Sequence, residues 1–109
     1  MHRGRVLLAR RPSNGLLGGM WEFPNGRVNG SPARFLGKTI RDAYQLDVRC
    51  EEPLGIVEHA YSHFSVSVHA FRCEVKDVPK KRDLRWVPLR ALEDFPMGRI
   101  DRQIARKLV

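Results

Sequence analysis

The sequence predicts a mixed fold of strands and helices, of the α/β or α+β class, in one domain over residues 1–109. Short apolar runs, a stretch of alternating apolar and polar residues, and two amphipathic helical segments carry this prediction. A chain of 109 residues suffices for one domain with one hydrophobic core. We therefore expect one domain that combines several short strands with two helices.

Strands are predicted where β-prone residues run together. Residues 6–9, Val-Leu-Leu-Ala, form the first strand, and residues 21–23 form a short second strand after a glycine-containing loop. Within residues 56–75, Phe, Val, Val and Ala alternate with Ser, Ser and His, which is the period of a half-buried strand. Residues 80–83 are a charged turn, and residues 85–87 are the last strand.

A central helix is predicted over residues 31–46. Ser31 can cap its first amides, and Pro32 suits the first helical position. Helical spacing predicts a buried face made of Ala33, Leu36, Ile40, Ala43 and Tyr44. A separate stripe is basic and consists of Arg34, Lys38 and Arg41.

The C-terminal part predicts further helical structure. Residues 89–94 are interpreted as a helical turn that ends at Pro96. An amphipathic helix follows, with its apolar face formed by Met97, Ile100, Ile104, Ala105 and Leu108.

Composition limits the possible functions. Lys and Arg number 20 against 12 acids, a net charge of +8, which favours a polyanionic partner such as nucleic acid. No apolar run is long enough to span a membrane, and the N-terminus does not resemble a signal peptide, so we expect an intracellular, cytoplasmic location. Cys50 and Cys73 fit neither a metal spacing nor a disulfide framework, and we expect reduced, partly buried thiols.

Residues 15–28, Gly-Leu-Leu-Gly-Gly-Met-Trp-Glu-Phe-Pro-Asn-Gly-Arg-Val, followed at once by a helix, resemble the Nudix fold. This resemblance implies a mixed β-sheet packed between helices. More narrowly, the chain is similar to the C-terminal domain of the MutY adenine DNA glycosylases. The segments at residues 7–12, 59–64 and 86–89 fit the same pattern, so the resemblance covers nearly the whole chain. The first strand begins close to residue 1, which suggests a domain taken from a longer protein.

The central helix departs from active Nudix hydrolases, whose pattern places an Arg-Glu pair and a Glu-Glu pair there to bind divalent metal. Lys38 and Thr39 stand where Arg-Glu is expected, and Asp42 and Ala43 stand where Glu-Glu is expected. A lone carboxylate beside cationic side chains holds magnesium poorly. We therefore expect no metal site and interpret Asp42 as a solvated helix residue.

The MutY resemblance implies a DNA-repair domain that recognises 8-oxoguanine opposite adenine and has no catalytic residue of its own. The implied partners are double-stranded DNA containing 8-oxoguanine and the N-terminal glycosylase domain of the same chain, with the domain itself monomeric. The family's iron–sulfur cluster belongs to that N-terminal region, so no cofactor is expected here.

The family's lesion-contacting turn carries over to Tyr61, Ser62 and His63, with Tyr61 in place of the usual Phe. Ser62 can donate and accept hydrogen bonds, His63 can bind a phosphate or base edge, and Tyr61 offers a flat face for packing near the helix. The alternative is an ordinary hairpin turn with Tyr61 in the core. His59 and His63 are four residues apart, but their strand and turn context disfavours a metal pair.

Cations close to these motifs are candidates for phosphate contact. They are Arg10, Arg11, Arg27, Arg34, Lys38 and Arg41. We expect the central helix to act as a scaffold that holds the recognition turn in place.

Two other functions stay open from the sequence alone. One is a free-standing Nudix hydrolase of an oxidised nucleotide, which the shared motif pattern and Asp42 favour. The other is a non-enzymatic RNA-binding or regulatory module, which only the charge favours.

Overall fold

The computed structural model describes residues 1, 3–12, 18–75, 78, 81 and 83–108. Part of the motif loop, residues 13–17, and part of the charged turn, Lys80 and Arg82, lie outside the described residues. The predicted mixed class is confirmed. The elements follow in the order β1 (Arg5–Arg10), β2 (Trp21–Glu22), α1 (Pro32–Tyr44), β3 (Val48–Ala60), β4 (Ser65–Val75), β5 (Leu84–Pro88), a 3-10 helix (Leu89–Asp94) and α2 (Arg99–Leu108).

Strand β1 is the centre of a three-stranded antiparallel sheet with the order β2-β1-β5. Successive side chains of a strand point to opposite faces, and here both faces are covered. Leu8 belongs to a cluster with Val87 of β5 and Ala105 of α2. Leu7 belongs to a second cluster with Ile40 of α1. The short apolar run of β1 therefore lies between the two helices.

Helix α1 starts and ends where its sequence predicts, but two details of the prediction are wrong. Ser31 has the extended conformation of an N-cap, yet its side chain makes no capping hydrogen bond. The predicted buried face is also too wide, because Ala33 and Ala43 are exposed. The helix ends at Tyr44. The N–H of Gln45 donates the last helical hydrogen bond to the carbonyl of Arg41, and the left-handed conformation of Gln45 (φ 56°) then turns the chain out of the helix.

Strands β3 and β4 form an antiparallel hairpin that is longer than the sequence pattern predicts, since β3 begins at Val48 rather than near residue 56. Proline is disfavoured in strands, so Pro53 kept residue preferences from predicting the first half of β3. The ladder accommodates it between two register shifts, at Cys50/Glu52 and at Pro53/Gly55. Bulges are the positions in a sheet where a residue without an N–H is tolerated.

The C-terminal elements agree with the sequence except for Met97. This residue precedes α2 and forms an isolated parallel bridge with Trp21. Arg102 of α2 binds the end of the 3-10 helix, donating hydrogen bonds to the carbonyls of Leu92 and Phe95. None of the helices in the described part of the chain is long and apolar enough to cross a membrane.

The packing of β1 predicts a large loss of stability on truncation of Leu8, whose side chain is 0% exposed. Leu8→Ala is expected to lower the free energy of unfolding by about 2–5 kcal/mol, because it removes buried methyl groups and leaves a cavity. Urea unfolding followed by circular dichroism measures this loss. Ile56→Ala removes an exposed aliphatic side chain and is the control. Equal losses in the two variants would contradict the central position of β1.

Candidate functional site

The turn between β3 and β4 carries the three residues predicted for lesion recognition. The N–H of Tyr61 donates a hydrogen bond of 2.7 Å to the carbonyl of Phe64, which closes a tight hairpin. Ser62 and His63 are the two residues between them, and both side chains are exposed. The fold therefore presents the polar groups of Ser62 and His63 to solvent at the end of a long hairpin.

Aromatic rings surround this turn. The rings of Tyr61 and Phe64 stack with their centroids 4.7 Å apart and their planes at 27°. The ring of His59 meets Tyr61 edge-on, with 4.6 Å between centroids. Tyr61 and Phe64 nevertheless remain 45% and 60% exposed. Tyr61 is thus not a core aromatic, and Phe64 is an exposed ring that the sequence did not single out.

Helix α1 packs at the other end of this hairpin. Its buried Ile40 shares a cluster with Leu46 and with the partly buried Val48 and Val75. Val48 and Val75 form the first strand pair of the hairpin, farthest from the turn. The ring contacts of Tyr61 are with His59 and Phe64. That α1 holds the turn in place stays a prediction.

The polar face of α1 has few groups suited to a hard cation. Asp42 is the one acid between Pro32 and Tyr44; it is 65% exposed, and its nearest cation is Lys38 at 3.9 Å. The hydroxyl of Thr39 donates to the carbonyl of Phe35 one turn earlier. Asp42 is thus a solvated residue, as predicted.

The basic stripe of α1 is exposed along its length. The guanidinium of Arg34 lies 5.5 Å from the centroid of the Phe35 ring. Lys38 neighbours Asp42, and Arg41 forms an ion pair of 3.1 Å with Asp47. Exposed ion pairs of this kind are weak, so these cations can exchange an intramolecular partner for a phosphate.

The other three candidate cations lie in different surroundings. Arg10 is exposed and lies over the ring of Trp21, 5.8 Å from its centroid. Arg11 is partly buried and pairs with Glu22 at 3.5 Å. Arg27 is exposed in the loop before α1. Of the three, Arg11 is the least suited to bind a phosphate, because it already forms an ion pair with the partly buried carboxylate of Glu22.

A cleft of about 720 Å³ opens between β1, β4 and the two helices. Its walls are largely apolar, with Leu36 and Ile104 among the lining residues. Polar residues line it as well, among them Arg11, Asn25 and Asp101. An apolar cleft of this size with a few polar groups has the properties of a small-molecule site.

Asp101 is the most unusual of these groups, because its side chain is buried with only 8% exposure. Burial raises the pKa of Asp101 to about 6, although the N–H of Phe23, which donates a hydrogen bond of 3.1 Å to its carboxylate, favours the ionised form. The nearby charge of Glu22 raises this pKa further, whereas Arg11 lowers it. Near neutral pH the carboxyl can thus change between hydrogen-bond acceptor and donor.

The sequence analysis missed Asp101, although a signal was present. Asp101 lies three and four residues before Ile104 and Ala105, so helical spacing puts it on the apolar face of α2. An acid on the apolar face of a helix is a sign of a buried polar group.

A sequence model of the NUDIX domain matches residues 1–107 of the chain. The chain belongs to the NUDIX domain family.

Several solved structures share the fold of this Nudix domain. They include the E. coli ORF135 protein (20% identity over 97% of this chain and 80% of that chain, TM-score 0.78). The Nudix hydrolase RenU of M. smegmatis is 21% identical over 99% of this chain and 76% of that chain, with a TM-score of 0.74. A MutT NUDIX hydrolase of Burkholderia pseudomallei is 23% identical over 100% of this chain and 92% of that chain, with a TM-score of 0.66. At these identities the likeness establishes the Nudix fold and leaves the function to be argued from the site.

The donor set of α1 does not fit the divalent metal that Nudix hydrolases use. Hard cations take several carboxylate or carbonyl oxygens, whereas this helix offers Asp42 beside Lys38 and a Thr39 hydroxyl engaged with the backbone. Elsewhere in the described part of the chain, no group of three or more His, Cys, Asp or Glu residues is arranged to hold a metal ion. We therefore derive no metal-dependent step for this Nudix domain.

The raised pKa of Asp101 predicts how stability depends on pH. Between about pH 4 and pH 6 the folded chain keeps a proton that the unfolded chain, with its ordinary aspartate pKa of 3.8, has released. Folding stability therefore falls as pH rises through this window. Asp101→Asn, which removes the titration, should raise the free energy of unfolding at pH 7.5 by about 1–3 kcal/mol and give no gain below pH 4.

Urea unfolding from pH 3.5 to pH 8 measures this difference. The control is Asp94→Asn, at an exposed acid of the 3-10 helix, for which the change should stay within about 0.5 kcal/mol. A pH-independent effect of Asp101→Asn would contradict the assigned protonation.

Proposed function

We propose that this Nudix domain recognises 8-oxoguanine opposite adenine in DNA, as the non-catalytic lesion-recognition domain of an adenine DNA glycosylase. The observation that carries the proposal is the hairpin turn, where the residues matching the MutY lesion-contacting motif, Tyr61, Ser62 and His63, are all exposed at one tip.

The chemistry of the turn suits an oxidised purine. Guanine presents an acceptor at N7, whereas 8-oxoguanine presents an N7–H donor next to a carbonyl oxygen. The hydroxyl of Ser62 can accept a hydrogen bond from the N7–H and donate one to the carbonyl oxygen. Such base-edge contacts contribute about 1–3 kcal/mol of discrimination each. His63, adjacent and also exposed, can donate to a base edge or phosphate.

The aromatic pair beside the turn supports the same function. The stacked rings of Tyr61 and Phe64 leave much of their surface free. A flat exposed ring can stack on a base that has left the duplex stack; in complexes with single strands such stacking contributes about 1–3 kcal/mol per base. Stacking does not distinguish the bases, so these rings would add affinity while Ser62 provides the discrimination.

The charge of the chain supplies the remaining affinity. A net charge of +8 favours a polyanion. Exposed cations at Arg10, Arg27, Arg34, Lys38 and Arg41 are available for phosphates. Phosphate contacts position a protein on the duplex without reading its sequence, so substitutions here would weaken binding to damaged and undamaged DNA alike.

A second candidate function is hydrolysis of a free oxidised nucleotide. The cleft with its buried Asp101 favours it, as do the names of RenU and the Burkholderia protein, which are described as Nudix hydrolases. The carboxylate-poor helix α1 opposes it. The two functions differ in substrate and in site: one uses the exposed turn, and the other uses the interior cleft.

The turn is tested by binding of the chain to duplexes with a single 8-oxoguanine:adenine or guanine:adenine pair, followed by fluorescence anisotropy at low salt. We expect tighter binding to the lesion, and a loss of about 5- to 100-fold in this preference in Ser62→Ala, because the base-edge contact is removed. Ser31→Ala, at an exposed serine without a capping bond, is the matched control. An unchanged preference in the double variant Ser62→Ala, His63→Ala would show that the turn does not read the lesion, and stronger binding to RNA would favour an RNA-binding module.

The hydrolase candidate is tested by incubating the chain with magnesium and a panel of normal and oxidised nucleoside triphosphates. The carboxylate-poor α1 predicts no turnover above the buffer rate. Turnover that Asp42→Ala abolishes would establish the second candidate in place of the first. A loss in Asp101→Asn with intact binding to lesion-containing DNA would place that activity in the cleft.

A further inference from the structure

Cys50 and Cys73 lie directly opposite each other in the hairpin, Cys50 on β3 and Cys73 on β4. Their sulfur atoms are 3.0 Å apart, and both side chains are partly buried. The residues are 23 positions apart in the sequence, so no local spacing motif relates them. The strand register alone brings them together.

We propose that Cys50 and Cys73 form a redox-modification site, in which thiol–disulfide exchange with a small-molecule disulfide such as oxidised glutathione joins the two strands. The proposal rests on the hairpin register and is independent of the function proposed for the turn.

The local geometry favours the bond. Opposite residues in an antiparallel pair have Cβ atoms about 4.5–5.5 Å apart, and the lower end of this range meets the separation of about 3.5–4.5 Å that a disulfide requires. The remaining approach of the sulfurs, from 3.0 Å to a bond of about 2.05 Å, is a small movement. The register shift between Cys50 and Glu52 interrupts the ladder next to Cys50.

The surroundings of the two thiols differ. The sulfur of Cys73 lies within hydrogen-bond distance of the sulfur of Cys50. Burial, with the neighbouring Cys50 as a smaller cause, raises the pKa of Cys73 to about 12, so Cys73 keeps its proton. Cys50 is therefore the attacking thiol, and Cys73 resolves the intermediate.

The exchange takes place in two balanced steps. The Cys50 thiolate attacks one sulfur of the small disulfide, forms a mixed disulfide and expels a thiolate. Cys73 then passes its proton to that thiolate and attacks the sulfur of Cys50, which forms the Cys50–Cys73 bond and expels the second thiolate. This thiolate takes up the proton that Cys50 lost. Two protein thiols are oxidised, and one small disulfide is reduced to two thiols.

The bond would strengthen the hairpin that carries the turn. β3 and β4 form a two-stranded sheet with two register shifts near the cysteines. A covalent link at this point would hold the strands in register between α1 and the turn, and would restrict the unfolded chain. Oxidation is thus expected to stabilise the end of the hairpin that packs against α1.

The test uses the whole chain, whose only two cysteines make thiol counting unambiguous. After equilibration with mixtures of reduced and oxidised glutathione, free thiols are alkylated and the intact mass is measured. We expect a monomer that lacks two hydrogens and takes up no alkylating agent, with a melting temperature raised by about 10 °C or more and restored by dithiothreitol. The folded chain should oxidise at a ratio of oxidised to reduced glutathione at least about tenfold lower than the chain in urea, because the fold aligns the sulfurs.

Cys50→Ser and Cys73→Ser are the matched variants, and Cys73→Ser should collect a stable mixed disulfide at Cys50. Glutathione adducts on both cysteines of the native chain would overturn the proposal. So would disulfides between chains only, an unchanged melting temperature, or equal oxidation of folded and unfolded chains.

Discussion

The burial of β1 on both faces is the constraint on which the other elements depend. Its four-residue apolar run alternates between two hydrophobic clusters, with Leu8 directed toward α2 and Leu7 toward α1. Since the side chains of a strand alternate between its two faces, a shift of one residue in register would exchange the residues that face α1 with those that face α2. The positions of α1, α2 and β5 relative to one another therefore follow from the pairing of β1.

The long hairpin of β3 and β4 is packed against this core at one end and exposed at the other. Its α1 end is packed through Val48 and Val75, whereas the turn beyond Ala60 presents stacked rings and exposed polar groups. Cys50 and Cys73 lie close to the packed end. The end of the hairpin near Val48 and Val75 is thus packed against the core. At the turn, the ring contacts among the described residues all lie within the hairpin itself. Such a turn can contact a large partner without disturbing the core.

The Nudix fold of this chain has few carboxylates on α1. The positions that align with the carboxylates of hydrolases bear Lys38, Thr39, Asp42 and Ala43; Thr39 is partly buried, and the other three residues are exposed. The surface instead becomes basic. The interior cleft keeps a buried acid, Asp101, whose burial and not its sequence neighbours makes it unusual. Fold likeness to hydrolases at low identity therefore does not decide between binding and hydrolysis.

The sequence by itself determined the class of the fold, the strand at β1, both helices, the exposed basic stripe and the turn with Ser62 and His63. These features depend on local periodicity and residue type, which the amino-acid sequence gives directly. Only the tertiary structure decided that β3 extends across Pro53, because bulges arise from pairing with a partner strand. It likewise decided that Ala33 and Ala43 stay exposed. Residues 23 apart, Cys50 and Cys73, meet for the same reason: contacts between distant segments depend on register and packing, which no local pattern specifies.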